Sequence, residues 1–299
     1  MVRRAAVLGH PIAHSQSPFL HSAAYDFLGL DIDYRRIDVP EALLPEFLAG
    51  EGAATGWLGW SVTMPLKSAM VDAVAHRSPR VQALGVLNTV IHRPGAQADA
   101  AATLHGENTD VDGIVAALGE AGLRSTADRD EASFGIIGAG ATATAALAAA
   151  AELGYTHVRS YARSAQRAAE LEPIARSLGL KLRILPLVGL IDDLRDETAS
   201  PEAVVSTLPP RAADELARAV PNLPTAVPLL DVAYDPWPSQ LASSWESAGG
   251  HVVSGLVMLL HQAVKQVELF TANTESPAGE LPSESHAALV AKMRRSIGL

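Results

Sequence analysis

The stretch Ser133–Leu147, SFGIIGAGATATAAL, sets a glycine turn between a short apolar run and an alanine-rich segment. The turn reads Gly138-Ala139-Gly140-Ala141-Thr142-Ala143. Strand, glycine turn and helix in that order can hold a pyrophosphate on the helix N-terminus. The first glycine permits the tight turn, the second lets phosphate approach the backbone, and the small Ala143 lets helix pack close to strand. An unliganded glycine turn shows the same letters, so the neighbouring residues decide. A strand-like run, His157–Ala162, follows where a dinucleotide fold puts its second strand. A site for a free ribose 2′-hydroxyl carries Asp or Glu about 20 residues past the turn. Here the run is Tyr161-Ala162-Arg163-Ser164, with Arg167 one helical turn on and no carboxylate among them. Two guanidiniums and a hydroxyl suit a 2′-phosphate, and the spacing therefore points to NADP. A solvated basic helix start is the alternative.

Three polar clusters stand outside that unit. Ser15-Gln16-Ser17-Pro18 opens a helix; two hydroxyls at a helix N-terminus suit a carboxylate, and capping by one serine would explain them equally. Ser61-Val-Thr63-Met-Pro65-Leu-Lys67 ends a strand and turns into a helix, so Thr63 and Lys67 flank the turn. Taken alone, Lys67 is an ordinary solvated lysine or a catalytic one. Gly106-Glu-Asn108-Thr109-Asp110 is a polar turn before a helix, where Asp110 by itself reads as an N-cap. Farther on, Gly255, Met258 and Gln262 fall within about 60° of one another on a helix, beside its apolar face. One helix can thus serve two ligands. The histidines at 10, 14, 21, 251 and 261 show no paired metal spacing, and no metal is expected.

The elements that must position these residues alternate. Strands are expected at Ala5–Gly9, Tyr34–Val39, Gly56–Thr63, Val86–Ile91 and Ala101–Leu104, with a turn at 93–95. Helices are expected at Phe19–Leu28, Glu41–Leu48 and from Pro65, then at Asp110–Leu118. The polar segment Arg124–Glu131 reads as a linker. Beyond the glycine turn come a helix at Ala165–Leu178, strands at Lys181–Leu185, Ala203–Thr207 and Val227–Val232, and a helix at Ala212–Ala219. Gly255–Phe270 is strongly amphipathic, and Ala287–Arg295 closes the chain. The pattern is α/β in two domains: an α/β domain from residues 1–109 plus 255–299, and a Rossmann-type domain with a parallel sheet over 110–254.

With 299 residues, 48% of them hydrophobic, the chain can build two ordinary cores. A formal net charge of −10 argues against general nucleic-acid binding. The absence of cysteine excludes disulfides, thiolate metal sites and cysteine nucleophiles, and fits a reducing cytoplasm. MVRRAAVLGHP has no apolar run of signal-peptide length, and no uncharged run reaches the roughly 18 residues of a membrane span.

Taken together, the chain resembles the shikimate dehydrogenase family. The shared motifs are GHPIAHSQSP (9–18), SVTMPLK (61–67), GVLNT (85–89), GENTD (106–110), GAGATA (138–143), ARS (162–164), DVAY (231–234) and GLVMLLHQ (255–262), in the family's order and at similar spacings. The resemblance implies reversible reduction of 3-dehydroshikimate to shikimate with NADPH, by a cytoplasmic monomer or homodimer with neither nucleic-acid nor membrane partners. It implies that Ser15, Ser17 and Tyr234 hold the ring carboxylate, and that Thr63, Asn88, Asp110 and Gln262 hold ring hydroxyls. Lys67 and Asp110 would form the catalytic pair. Gly138, Ala139, Gly140, Ala141 and Thr142 would wrap the pyrophosphate. Ala162, Arg163, Ser164 and Arg167 would surround the ribose phosphate, with Val232 and Gly255 toward the nicotinamide. Departures from the family pattern are Ser61 for Asn, Ala141 for Gly, Ala162 for Asn, Pro79 for an acidic residue, and Ser206-Thr207-Leu208-Pro209 for an Asn-Ala-Thr-like run. The alternatives are a quinate/shikimate dehydrogenase using NAD, which Arg163 and Arg167 oppose, and a non-catalytic shikimate- or dinucleotide-binding regulator, which the presence of both Lys67 and Asp110 opposes.

Overall fold

The computed structural model describes residues 3–93, 102–125, 129–223 and 226–299. The chain divides into two compact units, Met1–Thr109 with Gln262–Leu299, and Asp110–His261. Residues 255–261, expected with the first domain, cluster with the second.

The first unit is built on a mixed sheet. Its strands are β1 (Arg3–Gly9), β2 (Ile32–Asp38), β3 (Trp57–Val62), β4 (His76–Arg77), β5 (Thr89–Arg93) and β6 (Thr103–Glu107), in the order β2-β1-β3-β5-β6-β4. β1 runs parallel to β2 and β3, with Val7 opposite Ser61 and Leu8 opposite Val62. β5 is antiparallel to both of its neighbours, β3 and β6, and β4 is parallel to β6. Ala5 to Gly9 is buried throughout, as a central parallel strand covered on both faces must be. One core gathers Leu8, Trp57, Trp60, Leu66, Met70, Val81 and Val90. The helix Ser17–Leu28 starts with Pro18 in its first turn and ends at Gly29. It packs against the helix Ser283–Ser296 from the far end of the chain.

Several boundaries differ from expectation for local reasons. The strand expected at Val86–Ile91 begins only at Thr89; Leu87 and Asn88 send their N–H groups to Lys67 and Glu107 instead. β6 runs on through Gly106 and Glu107, which read as a turn. A Cβ at Gly106 would crowd Leu87 and Val74, so the glycine permits a close approach inside the strand. Pro65 stands just outside its helix, which is short (Leu66–Ala69) and tightens into a 3-10 turn over Met70–Ala73. Pro79–Leu84 is an unexpected helix, capped by Ser78 with Pro79 as its first residue. The turn expected at 93–95 lies largely outside the described residues.

The second unit holds six strands, β7 (Arg129–Ile137), β8 (Tyr155–Ala162), β9 (Lys181–Pro186), β10 (Ala203–Ser206), β11 (Pro228–Asp231) and β12 (His251–Ser254). All are parallel, in the order β9-β8-β7-β10-β11-β12. By chain order this is 3-2-1-4-5-6, the dinucleotide-binding arrangement, and strand order reverses between β7 and β10. In sheets of this order ligands bind at that reversal, beyond the carboxyl ends of the strands. The linker expected at 124–131 is already strand from Arg129. The helix expected over 165–178 is two, Ala165–Ala169 and Leu171–Ser177, because Pro173 has no N–H for the carbonyl of Ala169. The helix expected over 212–219 contracts to Asp214–Ala217. Unexpected are the helices Gly189–Arg195 and Gln240–Ser247 and the strand β12. Trp245 anchors this core, fully buried, its indole N–H donating to the Val227 carbonyl at 2.8 Å.

Candidate active site

In the first unit, the loop after β1 is pinned before it reaches its serines. Asp38, at the end of β2, accepts from the Ile12 N–H at 3.2 Å and pairs with His10 at 2.9 Å. Arg36 grips the Ser15 carbonyl with two N–H groups, at 2.6 and 3.0 Å. Ser15 Oγ accepts the Ser17 N–H at 3.3 Å, while the cap position is Gln16, whose side chain bonds no first-turn N–H. Ser17 itself is buried, beside Tyr34, whose hydroxyl donates to Ser61 at 2.7 Å. Two hydroxyls and the cation of Arg36 thus gather at one loop, and Arg36 was not expected there. A carboxylate is the group they suit.

Thr63 follows β3, its N–H on the Leu8 carbonyl at 2.9 Å. A Cβ on Gly9 would collide with its methyl, so glycine lets these two strand ends approach. Lys67 is half-buried in the short helix beyond, and its carbonyl holds the Leu87 N–H at 3.0 Å. Asn88 is 2% exposed and does most to tie this half together. Its Oδ1 accepts from the Thr109 N–H at 2.7 Å and from Thr89 Oγ1 at 2.8 Å. Its Nδ2 faces Thr109 Oγ1 at 3.0 Å and Gln262 Oε1 at 3.3 Å. Asn88 and Gln262, far apart in sequence, are therefore brought together. Asp110 is buried and is the first helical residue of Asp110–Glu120, with Thr109 before it; it is not the cap.

In the second unit, β7 ends at Ile137 and the chain turns at Gly138, whose φ is +115°. A Cβ there would strike Thr207 Oγ1 at the end of β10. Thr207 closes the turn from its own side, its N–H and hydroxyl both on the Ile137 carbonyl at 2.8 and 2.9 Å. Ala139, Ala141 and Thr142 are half-buried around it. The helix Ala141–Glu152 then starts with Gly140 at its cap, a residue with no side chain to offer the first-turn N–H groups. A Cβ on Gly140 would meet open space, so its value is exposure of backbone rather than tight packing. Gly138→Ala should cost roughly 1–3 kcal/mol through the positive φ and the Thr207 collision. Thermal melting should fall and NADP binding should weaken; a variant matching the parent in both would refute this account of the turn.

At the end of β8, Ala162 is buried while Arg163, Ser164 and Arg167 are exposed. Ser164 caps the next helix, accepting the Arg167 N–H at 3.3 Å. Both guanidiniums thus start from one capped turn. Val232, just past β11, is fixed by its N–H on the Ser206 carbonyl at 3.0 Å. A Cβ on Gly255 would run into the Val232 backbone, so this glycine lets the helix Gly255–Thr271 begin against the strand end. Tyr234 is half-buried two residues farther on. Nearby Asp231 is largely buried, which raises its carboxyl above the usual range against the hydrogen bond from Ser239. A cavity lined by Leu123, Ser200, Glu202, Val227 and Pro228 sits where β10 and β11 begin, the opposite end of the sheet from these residues. Among the described residues no cluster of His, Asp and Glu is placed to hold a metal ion.

Residues 7–90 match the family description of a shikimate dehydrogenase substrate binding domain. The NADP(+) shikimate dehydrogenase of Methylobacterium radiotolerans is 33% identical over 272 residues, spanning 89% of this chain and 90% of that protein. The chain belongs to the shikimate dehydrogenase family. The crystal structure of Mycobacterium tuberculosis shikimate dehydrogenase superposes with a TM-score of 0.78 at 39% identity, covering 97% of this chain and 98% of that one. The Thermus thermophilus shikimate 5-dehydrogenase, solved in complex with NADP(H) and shikimate, gives 0.74 at 28% identity over 98% and 99% of the two chains. Within this shikimate dehydrogenase family member, Ser61, Thr89 and Gln266 join the network around Asn88 although none was expected as a site residue. A glutamine on the apolar stripe of an amphipathic helix, one turn past Gln262, was the available signal.

Proposed function

We propose that the chain catalyses the reversible reduction of 3-dehydroshikimate to shikimate with NADPH. The first unit would bind the substrate and the second the cofactor. The observation that carries this reading is the buried Asn88–Gln262 pair in its hydrogen-bonded surround, since a dinucleotide-binding sheet alone does not select a substrate. A polyhydroxy acid needs such paired donors and acceptors, because a buried hydroxyl left unmatched is costly.

The residues present fit NADP. Gly138 has no room for a side chain, Gly140 faces open space, and the helix behind them starts uncapped by any side chain. Gly138, Ala139, Gly140, Ala141 and Thr142 would hold the pyrophosphate, and Ala162, Arg163, Ser164 and Arg167 the 2′-phosphate ribose. Val232 and Gly255 would flank the nicotinamide. When bound, the cofactor supplies the hydride. Reduction leaves the former carbonyl oxygen in need of a proton, and Lys67 would hold that proton at Nζ and stabilise the negative charge as it develops. Asp110 would keep the lysine charged and hold a ring hydroxyl, with Thr63, Asn88 and Gln262 on the others. Ser15, Ser17 and Tyr234 would take the carboxylate.

Purified protein, given shikimate or quinate with NADP or NAD, is followed by absorbance of the reduced nicotinamide. Shikimate with NADP should turn over best. The regulator reading predicts no turnover with any pair, and that result would overturn the proposal. The enzyme would act in the cytoplasm as a monomer or homodimer. The lack of cysteine supports that setting, and no helix among the described residues is long and apolar enough to cross a membrane.

The serine loop can be tested separately. A hydrogen bond to a charged group is worth about 1.5–3 kcal/mol. Ser15→Ala with Ser17→Ala should therefore weaken shikimate binding more than roughly tenfold by calorimetry while NADP binding stays put. Unchanged shikimate affinity would leave these serines a local structural role only.

A further inference from the structure

Gln266 is 1% exposed, and its amide is saturated inside the first unit. Nε2 donates to the Asn88 carbonyl at 3.1 Å and to Thr89 Oγ1 at 2.9 Å. Oε1 accepts from Ser61 Oγ at 2.7 Å and faces His21 Nε2 at 3.3 Å. The orientation of this amide is not a free choice. A backbone carbonyl can only accept, so the amide nitrogen must face Asn88 and the oxygen must face Ser61. Asn88 is fixed by the converse argument. The Thr109 N–H can only donate, so Oδ1 lies on it at 2.7 Å and Nδ2 turns to Gln262 Oε1.

The hydroxyls between these amides inherit their direction. Thr89 Oγ1 receives from Gln266 and passes its own proton to Asn88 Oδ1 at 2.8 Å. Ser61 gives its proton to Gln266 and receives that of Tyr34 at 2.7 Å. From end to end, Tyr34 donates to Ser61, Ser61 to Gln266, Gln266 to Thr89, Thr89 to Asn88 and Asn88 to Gln262. His21 agrees with this polarity. Its Nε2 must carry the proton toward Gln266, leaving Nδ1 to accept from Tyr25 at 3.1 Å. Burial lowers its pKa to about 3, so it stays neutral.

We propose that Asn88, its amide direction fixed by the Thr109 N–H, sets the polarity of Gln262 toward its ligand, with Gln266 and Thr89 as positioning residues that hold Asn88 by its carbonyl and its Oδ1. Gln262 keeps its oxygen on Asn88 and so turns its N–H donors to the other side. The ligand atom it meets is an acceptor: a hydroxyl lone pair or a carbonyl oxygen of the substrate. An Asn88 shifted from its place no longer holds the Gln262 oxygen, and that selectivity weakens. The inference rests on the substrate role proposed above for the same residues.

Thr89→Val keeps shape and removes the relay, Thr89→Ser keeps the relay, and Gln266→Met removes the anchor at similar volume. Shikimate KM should rise at least about tenfold in the first and third, with kcat and NADP KM close to the parent, the pattern of lost ground-state binding. Thr89→Ser should restore parental KM. Ser61→Ala, which leaves His21 on Gln266 Oε1, should give a smaller rise in the same direction. An active parent whose Thr89→Val and Gln266→Met variants keep its KM overturns the inference alone. So does a Thr89→Ser protein as impaired as Thr89→Val, or a Ser61→Ala protein with parental KM if the other two do not fold. A parent without shikimate turnover overturns the activity and the inference with it.

Discussion

Lys67→Met should lower kcat by about 10²–10⁴-fold, the usual worth of a positioned proton donor. Methionine keeps most of the stem and removes only the charge and the N–H groups. The surrounding fold gives the substitution little reason to unfold the chain. Leu66 and Met70 on either side belong to the buried core, whereas Lys67 is half-buried and stands outside it. The backbone contact that Lys67 makes, its carbonyl on the Leu87 N–H, does not involve the side chain. Shikimate KM should therefore move much less than kcat, which separates the chemical step from binding. Single-turnover absorbance of the nicotinamide, with NADP affinity measured alongside, is the check. The assignment would be falsified if folded Lys67→Met protein with intact NADP affinity turned over at the parent rate.

Replacing Arg163 and Arg167 together by glutamine should raise the NADP KM by about 10²-fold and leave NAD nearly unchanged. The figure takes roughly tenfold per guanidinium, the weak end for hydrogen bonds to a charged group, because both side chains are exposed and screened. The helix itself should survive, since Ser164 caps it through the backbone of Arg167 rather than its side chain. Steady-state kinetics with both cofactors at low and high salt would show it. An equal loss for NAD and NADP would return the two arginines to solvent.

What the sequence revealed follows the strength of the physical signal. Phe134–Ile137 was readable as a buried parallel strand because both faces are covered and nothing polar interrupts the run. β12 and the helix Gln240–Ser247 were not, because a four-residue strand carries little periodicity and an eight-residue helix shows its buried face through Leu241, Ala242 and Trp245 alone. The break at Glu170 was visible in Pro173 but outweighed by the helical pattern around it. The motif-borne residues of the candidate site were legible as letters in order. Arg36 and Gln266 were not, since their roles come from what stands opposite them: the Ser15 carbonyl for one, and Ser61, Asn88 and Thr89 for the other. Neither partner is adjacent in the chain, and no spacing rule encodes it.

The division of the chain orders events at the ribosome. Residues 110–261 are made as one continuous stretch, while the unit begun at Met1 is completed only by Gln262–Leu299. Until those last residues emerge, the helix Ser17–Leu28 lacks the helix Ser283–Ser296, Ser61 lacks Gln266, and the β3 surface at Gly59 lacks the ring of Phe270 that covers it. Domains usually finish in the order they start, from the N-terminus. Here the domain begun first is finished last. A nascent chain cut short before residue 262 can complete the parallel sheet and its glycine turn, yet its Asn88 lacks Gln262 and Gln266, and the core of the first unit stays open.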